Sequence, residues 1–184
     1  STRLPGKVLE MIGGHTALAH LYHRAKKIRG IDRICCAVPI GDVNEPVAKH
    51  ALDLGFEVFR GSEQDVLSRY YHSAKYLGCD TIFRLTSDCP FIDPAVATET
   101  LALFNQSPCD FACNNAPPTW AHGFDCEITS FKWLEKAYHE ARTDYEREHV
   151  MPFIRQHPDI RLVNYANELK DQKHLRLTLD YPED

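Results

Sequence analysis

The sequence predicts an α/β fold in which a mixed, mostly parallel sheet is covered by helices on both faces. Short apolar segments of strand length alternate with longer segments whose apolar residues recur at helical spacing. Proline or glycine stands at many of the junctions. The 184 residues, 43% hydrophobic and 26% charged, suit a globular chain with a buried core, so we predict one domain over residues 1–184.

The first part of the chain predicts two helix–strand pairs. Residues 15–29 carry apolar side chains at helical spacing, and RICCAV at 33–38 is short and apolar, as buried strands are. Pro46 lies in the first turn of a second helix, which Gly55 ends. FEVFR at 56–60 alternates polar and apolar residues, so it is predicted to be the second strand.

The middle of the chain repeats this order. A helix is predicted over 65–77, followed by the strand TIFRL at 81–85. A helix over 93–105 begins on an Asp-Pro pair and leads to a short strand at 110–113. Strands that alternate with helices form a parallel sheet with both faces covered.

The alternation breaks after residue 115. The loop PPTWAHGFDCEIT leads into a strand, and helices over 131–141 and 144–156 follow. Two further strands are predicted at 161–165 and 175–179. We expect this half to add a layer that covers the substrate. We also expect one more strand upstream of the first residue and a chain that continues past the last.

Composition excludes several classes of protein. A net charge of −5 argues against general nucleic-acid binding, although the first 34 residues carry seven Lys/Arg and only two acids. Seven cysteines without a CxxC spacing argue against a zinc ribbon and for a reducing, cytoplasmic location. No apolar run approaches the ~20 residues of a membrane span, so no membrane partner is expected.

Polar clusters follow three predicted strands, where ligands bind in open α/β sheets. They are RGSEQD, TSDCPFID and DYPED. Asp88 and Asp180 stand in the second and third clusters. Two carboxylates that converge from different strands can hold Mg²⁺ together with substrate phosphates. The alternative is that each carboxylate caps the turn or helix that follows it.

The opening segment STRLPGK has the donors that an anion needs. Ser1 supplies a hydroxyl, Arg3 a guanidinium and Lys7 an ammonium, and the Pro-Gly turn supplies backbone N–H groups. The glycines of a Walker A loop are missing. The segment therefore predicts a pyrophosphate-binding loop or, alternatively, a solvated turn.

Other residues leave two interpretations open. His149 lies in DYEREHVMP, which also suits an acidic helix start with internal ion pairs. Trp120 lies in a proline-rich loop and either packs or lines a pocket. The histidines lack an HExxH spacing, so no zinc is assigned, and there is no GxSxG nucleophile motif.

Six segments, in order, resemble the SpsF-type cytidylyltransferases of spore-coat polysaccharide synthesis: STRLPGK, FRGSEQDVLSRYY, RLTSDCPFIDP, GFDCEITSF, YEREHVMPFIRQHP and HLRLTLDYPED. That family is related to the CMP-sugar synthetases for 3-deoxy-manno-octulosonate and acylneuraminate. The resemblance runs from the first residue to the last. It implies a Rossmann-like nucleotide-diphospho-sugar transferase fold and a Mg²⁺-dependent, cytoplasmic enzyme. Such an enzyme transfers CMP from CTP to a sugar, acidic in our prediction, and releases pyrophosphate.

The resemblance also assigns roles to residues. The triphosphate loop would contain Ser1, Arg3 and Lys7, and the catalytic set would be Arg3, Lys7 and Asp88. The Mg²⁺ ligands would be Asp88 and Asp180. The nucleoside wall would contain Arg60, Ser62, Arg84 and Thr86, and the acceptor side would be lined by Asp125, Glu127 and His149. Two residues depart from the family pattern. Ser87 replaces a glycine, which predicts strain if φ is positive there, and Met151 replaces a threonine.

Two other functions remain open at this point. A GT-A-like glycosyltransferase would use a nucleotide-sugar and a DxD metal motif, for which Asp125-Cys-Glu127 is a poor candidate. A catalytically silent protein would bind nucleotide without releasing pyrophosphate. A homodimer is compatible with the sequence, which does not decide the oligomeric state.

Overall fold

The computed structural model describes residue 4 and residues 6–169, 171–181 and 183–184. The predicted roles of Ser1 and Arg3 therefore lie outside the described residues. In chain order the elements are β1 (Met11–Ile12), β2 (His15–Thr16), α1 (Ala17–Ala25), β3 (Cys35–Pro39), α2 (Glu45–Leu54), β4 (Glu57–Gly61), α3 (Val66–Leu77), β5 (Thr81–Arg84), α4 (Pro94–Gln106), β6 (Phe111–Cys113), β7 (Glu127–Ser130), α5 (Phe131–Glu140), α6 (Asp144–His149), α7 (Pro152–Gln156) and β8 (Leu162–Asn164).

The strands form a mixed α/β arrangement, as predicted, but in separate sheets. Strand β3 pairs parallel with β4. A four-stranded sheet has the order β5-β7-β6-β8, in which β7 is antiparallel to both neighbours and β6 is parallel to β8. Strands β1 and β2 form a short antiparallel pair. Among the described residues, β3 and β5 each have one edge without a strand partner.

Helices cover both faces of the four-stranded sheet. Successive residues of a strand point to opposite faces, so neighbours on one strand contact different helices. Ile82 of β5 packs in a cluster with Leu67 of α3 and Leu134 of α5. Its neighbour Phe83 packs in clusters formed by α1 and α4 instead. Helix α1 also packs on the other sheet, since Leu18 belongs to a cluster that contains Val58 of β4.

Side-chain caps explain where most of these helices begin. A hydroxyl or carboxylate that accepts an N–H bond from the first turn satisfies a donor that the helix leaves unpaired. The capping residues are Thr16 for α1, Asp65 for α3, Asp93 for α4, Ser130 for α5 and Thr143 for α6. The predicted start of the first helix at His15 is wrong, because Thr16 is its cap and His15 belongs to β2.

The helix predicted over 144–156 is two helices, α6 and α7. They are separated by Val150, whose φ of 70° is the only positive φ at a non-glycine among the described residues. The Met151 N–H donates to the His149 carbonyl at 2.8 Å, which closes a three-residue turn around Val150. Pro152, which has no N–H to donate, begins α7.

The strand predicted at 175–179 is a connecting segment rather than a strand. The N–H groups of His122 and Leu177 exchange bonds with the carbonyls of Leu175 and His122, at 3.0 and 2.7 Å. Farther along, the Leu179 N–H donates to the Asp88 carbonyl at 2.8 Å. The 175–179 segment therefore makes isolated backbone hydrogen bonds to two separate loops instead of the continuous ladder of a strand, although its sequence alternates as a strand does.

The core contains apolar residues from both halves of the chain, including the fully buried Leu67, Phe111, Leu134 and Ile154. All seven cysteines are free, and three are buried. In the part of the chain that the structure describes, no helix combines the length and the apolar character needed to cross a bilayer.

Candidate active site

A cavity of about 660 Å³ opens at one edge of the four-stranded sheet. Strand β5 ends there and the antiparallel strand β7 begins there, so Arg84 and Glu127 are register partners. Cys113, at the end of β6, is opposite Glu127 on the other side. The chain therefore enters its polar loops at this edge, as expected for ligand sites in α/β sheets.

Lys7 joins two carboxylates that are distant in the sequence. Its Nζ lies 3.1 Å from Asp180 Oδ1 and 3.5 Å from Asp88 Oδ2. The Lys7 side chain is only 11% exposed, and the Asp180 side chain 12%. The predicted convergence of the two acids is therefore present, and their role as metal ligands stays a prediction.

Further donors hold the Asp180 carboxylate in place. Thr178 donates its hydroxyl to Oδ2 at 3.2 Å, and Arg176 Nη1 lies 3.5 Å from the same oxygen. The backbone N–H of Asp180 donates to Asp184 Oδ2 at 2.7 Å. Both oxygens of the Asp180 carboxylate therefore face positive or donating groups.

The donor set fits a hard divalent cation. Mg²⁺ is bound by one or two carboxylates and completes its shell with waters and substrate phosphates. Asp88 and Asp180 supply two carboxylates, and the described residues contain no cluster of three or more His, Cys, Asp or Glu side chains that could hold a metal alone. A positively charged group, the Lys7 ammonium, already contacts both.

Glu127 orients two arginines in the cavity. Its Oε2 accepts from Arg84 Nη1 at 2.6 Å and its Oε1 accepts from Arg155 Nη1 at 3.1 Å. The Glu127 side chain is 8% exposed, so this is a buried, fully paired carboxylate. It is a positioning group for the guanidinium of Arg155, which is 32% exposed.

Asp125 lies on the same side and is held by its own loop. Asn115 Nδ2 donates to Oδ1 at 3.0 Å, and the Gly123 N–H donates to Oδ2 at 2.8 Å. His122 Nε2 lies 3.9 Å from Oδ2. Gly123 has φ of 110°, and a Cβ there would lie 2.7 Å from the Leu177 carbonyl oxygen, so the close approach of the two segments requires glycine.

The corner between α6 and α7 also lines the cavity. Tyr145 and His149, whose ring centroids lie 4.6 Å apart, line the cavity with Met151 and Arg155. The turn at Val150 separates α6, which carries Tyr145 and His149, from α7, which carries Arg155.

Cys89 lines the cavity but is not a candidate nucleophile. Burial raises the pKa of its thiol to about 12. At neutral pH it is therefore protonated, and the thiolate is the reactive form.

A second cavity of about 410 Å³ adjoins the first and shares Asn115, His122, Asp125 and Arg155 with it. Trp120 lines this cavity, which favours the pocket interpretation of that residue. Its indole N–H donates to the Tyr165 carbonyl at 2.8 Å, and the two rings stack.

Residues 1–181 match the family model described as Cytidylyltransferase. The chain belongs to the cytidylyltransferase family. It is 33% identical over 192 residues to the spore coat polysaccharide biosynthesis protein SpsF of Bacillus subtilis, covering 100% of this chain and 78% of that protein. It is 28% identical over 109 residues to the 3-deoxy-manno-octulosonate cytidylyltransferase of Oleidesulfovibrio alaskensis, covering 58% and 43%. A solved cytidylyltransferase from Leptospira borgpetersenii has a TM-score of 0.93, with 35% identity over 100% of this chain and 78% of that one.

Most site residues predicted for this cytidylyltransferase lie together. Those that line the larger cavity are Arg84, Thr86, Asp88, Asp125, Glu127, His149 and Asp180, and Lys7 contacts two of them. The strain predicted at Ser87 is absent, since its φ is not positive.

Arg60 and Ser62 do not line that cavity, whereas Arg84 and Thr86, predicted for the same wall, do. Arg60 lies near the end of β4 and Ser62 just after it, and β4 belongs to the other sheet. Arg60 is paired with Glu45 through two hydrogen bonds of 2.8 and 2.9 Å, and the Ser62 hydroxyl accepts from the Asp65 N–H. Their contribution to nucleoside binding by this cytidylyltransferase stays a prediction.

Sequence reasoning missed Arg155, Asn115 and Tyr145 as cavity residues of this cytidylyltransferase. Arg155 and Tyr145 occur in helix-forming segments, where exposed charge and aromatic residues are ordinary. The only signal was that both flank His149, in the segment YEREHVMPFIRQHP.

Proposed function

We propose that this cytidylyltransferase is Mg²⁺-dependent and transfers CMP from CTP to an acidic sugar, with release of pyrophosphate, for a surface polysaccharide or glycan. The observation that carries the proposal is the meeting of Lys7, Asp88 and Asp180 at a cavity large enough for substrate. A cytoplasmic location and a homodimer remain predictions of the sequence.

Asp88 and Asp180 would hold the divalent cation. When bound there, Mg²⁺ would supply positive charge to the phosphate oxygens and help fix their orientation. Lys7 would add a second positive charge on the same side, and Arg3 and Ser1 are predicted to contribute to the same phosphate site. The residues therefore act by positioning and electrostatics rather than by covalent chemistry.

In the proposed reaction, a hydroxyl oxygen of the sugar attacks the α-phosphorus of CTP in line. The bond from the α-phosphorus to the β-phosphate oxygen breaks, pyrophosphate leaves, and the hydroxyl proton is released. Asp125 lines the cavity, and its carboxylate is fixed by Asn115 and Gly123, so it can accept a hydrogen bond from a sugar hydroxyl.

Arg155 supports an acidic acceptor. Glu127 accepts a hydrogen bond from one nitrogen of the Arg155 guanidinium, and Arg155 lines both cavities. A planar guanidinium binds a carboxylate through two parallel hydrogen bonds. The relative from Oleidesulfovibrio is named for 3-deoxy-manno-octulosonate, a sugar acid, which agrees with this assignment.

Pyrophosphate release tests the proposal directly. The full chain is incubated with CTP, Mg²⁺ and a panel of sugars that contains 3-deoxy-manno-octulosonate, an acylneuraminate and their neutral counterparts. We expect pyrophosphate and a CMP-sugar only when CTP, Mg²⁺ and a sugar acid are all present. Transfer from a UDP-sugar would instead indicate a glycosyltransferase, and CTP binding without pyrophosphate release under every condition would indicate a silent nucleotide-binding protein. Either result contradicts the proposal.

A further inference from the structure

The backbone of Lys7 is anchored while its side chain reaches across the cavity edge. The residue begins a single 3₁₀ turn, Lys7–Leu9, which follows Gly6 at φ of 74°. Val8, next along the chain, packs on the cluster that contains Leu18 and Tyr22 of α1. The side chain thus starts from a fixed point and ends between groups 81 and 173 positions away in the sequence.

Among the described residues, acidic and basic side chains meet at this point, and Arg176 pairs with Asp184 as well as with Asp180. Asp88 and Asp180 supply two negative charges, the Lys7 ammonium contacts both, and Arg176 lies 3.5 Å from Asp180. Without Lys7, the same two carboxylates would repel each other and attract a cation strongly, because Coulomb energies at such distances are large away from bulk water. The ammonium therefore has the position and the charge of a counter-ion.

We propose that the Lys7 ammonium and the divalent metal ion compete for the Asp88–Asp180 pair, so that metal binds tightly only when nucleotide phosphates draw Lys7 away. The inference rests on the proposed function, since it assumes that these carboxylates are the metal ligands. Lys7 would then determine the order in which metal and nucleotide bind.

The chemistry of lysine suits such an exchange. Its compact ammonium is carried on a flexible four-carbon stem, so the group can change partners while the backbone stays in place. Triphosphate oxygens offer it stronger anionic partners on the same side of the cavity. Two cations a few ångströms apart repel each other, so a metal bound beside an undisplaced Lys7 would be weakened.

Mn²⁺ without nucleotide provides the test, because it is a paramagnetic probe of Mg²⁺ sites and needs no turnover. Its affinity for the full chain is measured by electron paramagnetic resonance for wild type, Lys7→Met and Lys49→Met. Lys49 is an exposed lysine of α2 and is the matched control. We expect Lys7→Met to bind Mn²⁺ at least about tenfold more tightly than wild type, and Lys49→Met to bind as wild type does.

A double variant locates the gain. Adding Asp88→Asn to Lys7→Met should remove the extra Mn²⁺ affinity, because one of the two carboxylates for which Lys7 and the metal ion compete is lost. Lys7→Gln is the second neutral variant, which serves if Lys7→Met does not fold, and Lys7→Arg should stay as weak as wild type because it keeps the charge.

Equal, weak Mn²⁺ binding by wild type and the folded neutral variants would overturn the inference. So would a gain in affinity that survives Asp88→Asn. Such results leave the proposed function untouched if CTP-dependent pyrophosphate release still requires Mg²⁺. Loss of that requirement, by contrast, would overturn the proposed function itself, so the two failures are distinguishable.

Discussion

Leu179 donates its backbone N–H to the carbonyl oxygen of Asp88 at 2.8 Å, and this bond places the next residue, Asp180, beside the loop that carries Asp88. The two carboxylates are thus brought together by main-chain geometry, and Lys7 adds an electrostatic contact to each. Changes that shift the 175–179 segment should therefore affect the site even when they alter none of its side chains.

Gly123→Ala is predicted to disturb that segment. The new Cβ would lie 2.7 Å from the Leu177 carbonyl oxygen, at a φ of 110° that alanine rarely adopts. We expect a loss of about 1–3 kcal/mol in the free energy of unfolding, measured by denaturant titration, together with a marked fall in pyrophosphate release.

The control is Gly14→Ala between β1 and β2, where φ is also positive, at 92°, but nothing lies within 4 Å of the new Cβ. It isolates the cost of φ from the cost of the clash. If the two variants were equally stable and equally active, the close approach of Gly123 and Leu177 would have no functional consequence.

At position 150 we predict that glycine is more stable than alanine, which is the reverse of their usual order. Glycine normally destabilises relative to alanine because it loses more backbone entropy on folding, but a φ of 70° strains any residue with a Cβ. Both substitutions remove the two buried methyl groups of Val150, and glycine also removes the Cβ, so their difference combines the backbone strain with the loss of one buried carbon. We expect Val150→Gly to be more stable than Val150→Ala by about 1 kcal/mol in denaturant titrations. A less stable Val150→Gly would show that the turn carries no strain.

Arg155→Met tests acceptor recognition. If the guanidinium binds the carboxylate of the sugar, its loss should raise the KM for the acidic acceptor by about 10- to 100-fold, as expected for a charge-assisted hydrogen bond. The KM for CTP should change little, because Arg155 is bonded to Glu127 and not to the Lys7, Asp88 and Asp180 group that would bind the metal and phosphates. Arg29→Met, at a side chain 81% exposed, is the control. Equal increases in both KM values would contradict a role in acceptor recognition.

Asp110 gives a pH dependence of stability. Its hydrogen bonds with Arg161, which tie the start of β6 to β8, lower the pKa of the carboxyl from 3.8 to about 2. A carboxyl whose pKa is lower in the folded state stabilises the fold above its unfolded pKa, and this contribution disappears as the pH falls through the folded value. Asp110→Asn should therefore be less stable than wild type at pH 7, and the difference should shrink between about pH 4 and pH 2.

Thermal unfolding across that pH range measures the difference, with Asp53→Asn, at an exposed position on α2, as control. A gap between wild type and Asp110→Asn that does not vary with pH would rule out the ion pair as its source.

The sequence predicted the elements whose signals are local. The Asp93-Pro94 start and the Gly55 stop fix helix ends through their own turn, so these boundaries agree with the structure. The positive φ of Val150 was not predictable from that residue, but Pro152 is a local signal for the break, because a proline inside a helical pattern ends or kinks the helix before it.

The site shows the same division. Asp88 and Asp180 were predictable because each follows a strand or strand-like segment, and the ends of such segments meet at one edge. The paired partners of Glu127 were not, since nothing in the sequence relates Arg84 and Arg155 to one another. Arg60 lies in β4, which belongs to the other sheet, so its predicted role at the nucleoside stays a prediction.

The most direct measurement is Mg²⁺-dependent pyrophosphate release from CTP by wild type, Asp88→Asn and Asp180→Asn, with thermal unfolding of each to verify the fold. Asn keeps the size of the side chain and removes the charge that a divalent cation requires. We predict that each variant loses at least about 100-fold in rate while remaining folded. Folded variants that retain activity within about tenfold of wild type would contradict the shared metal site on which this account depends.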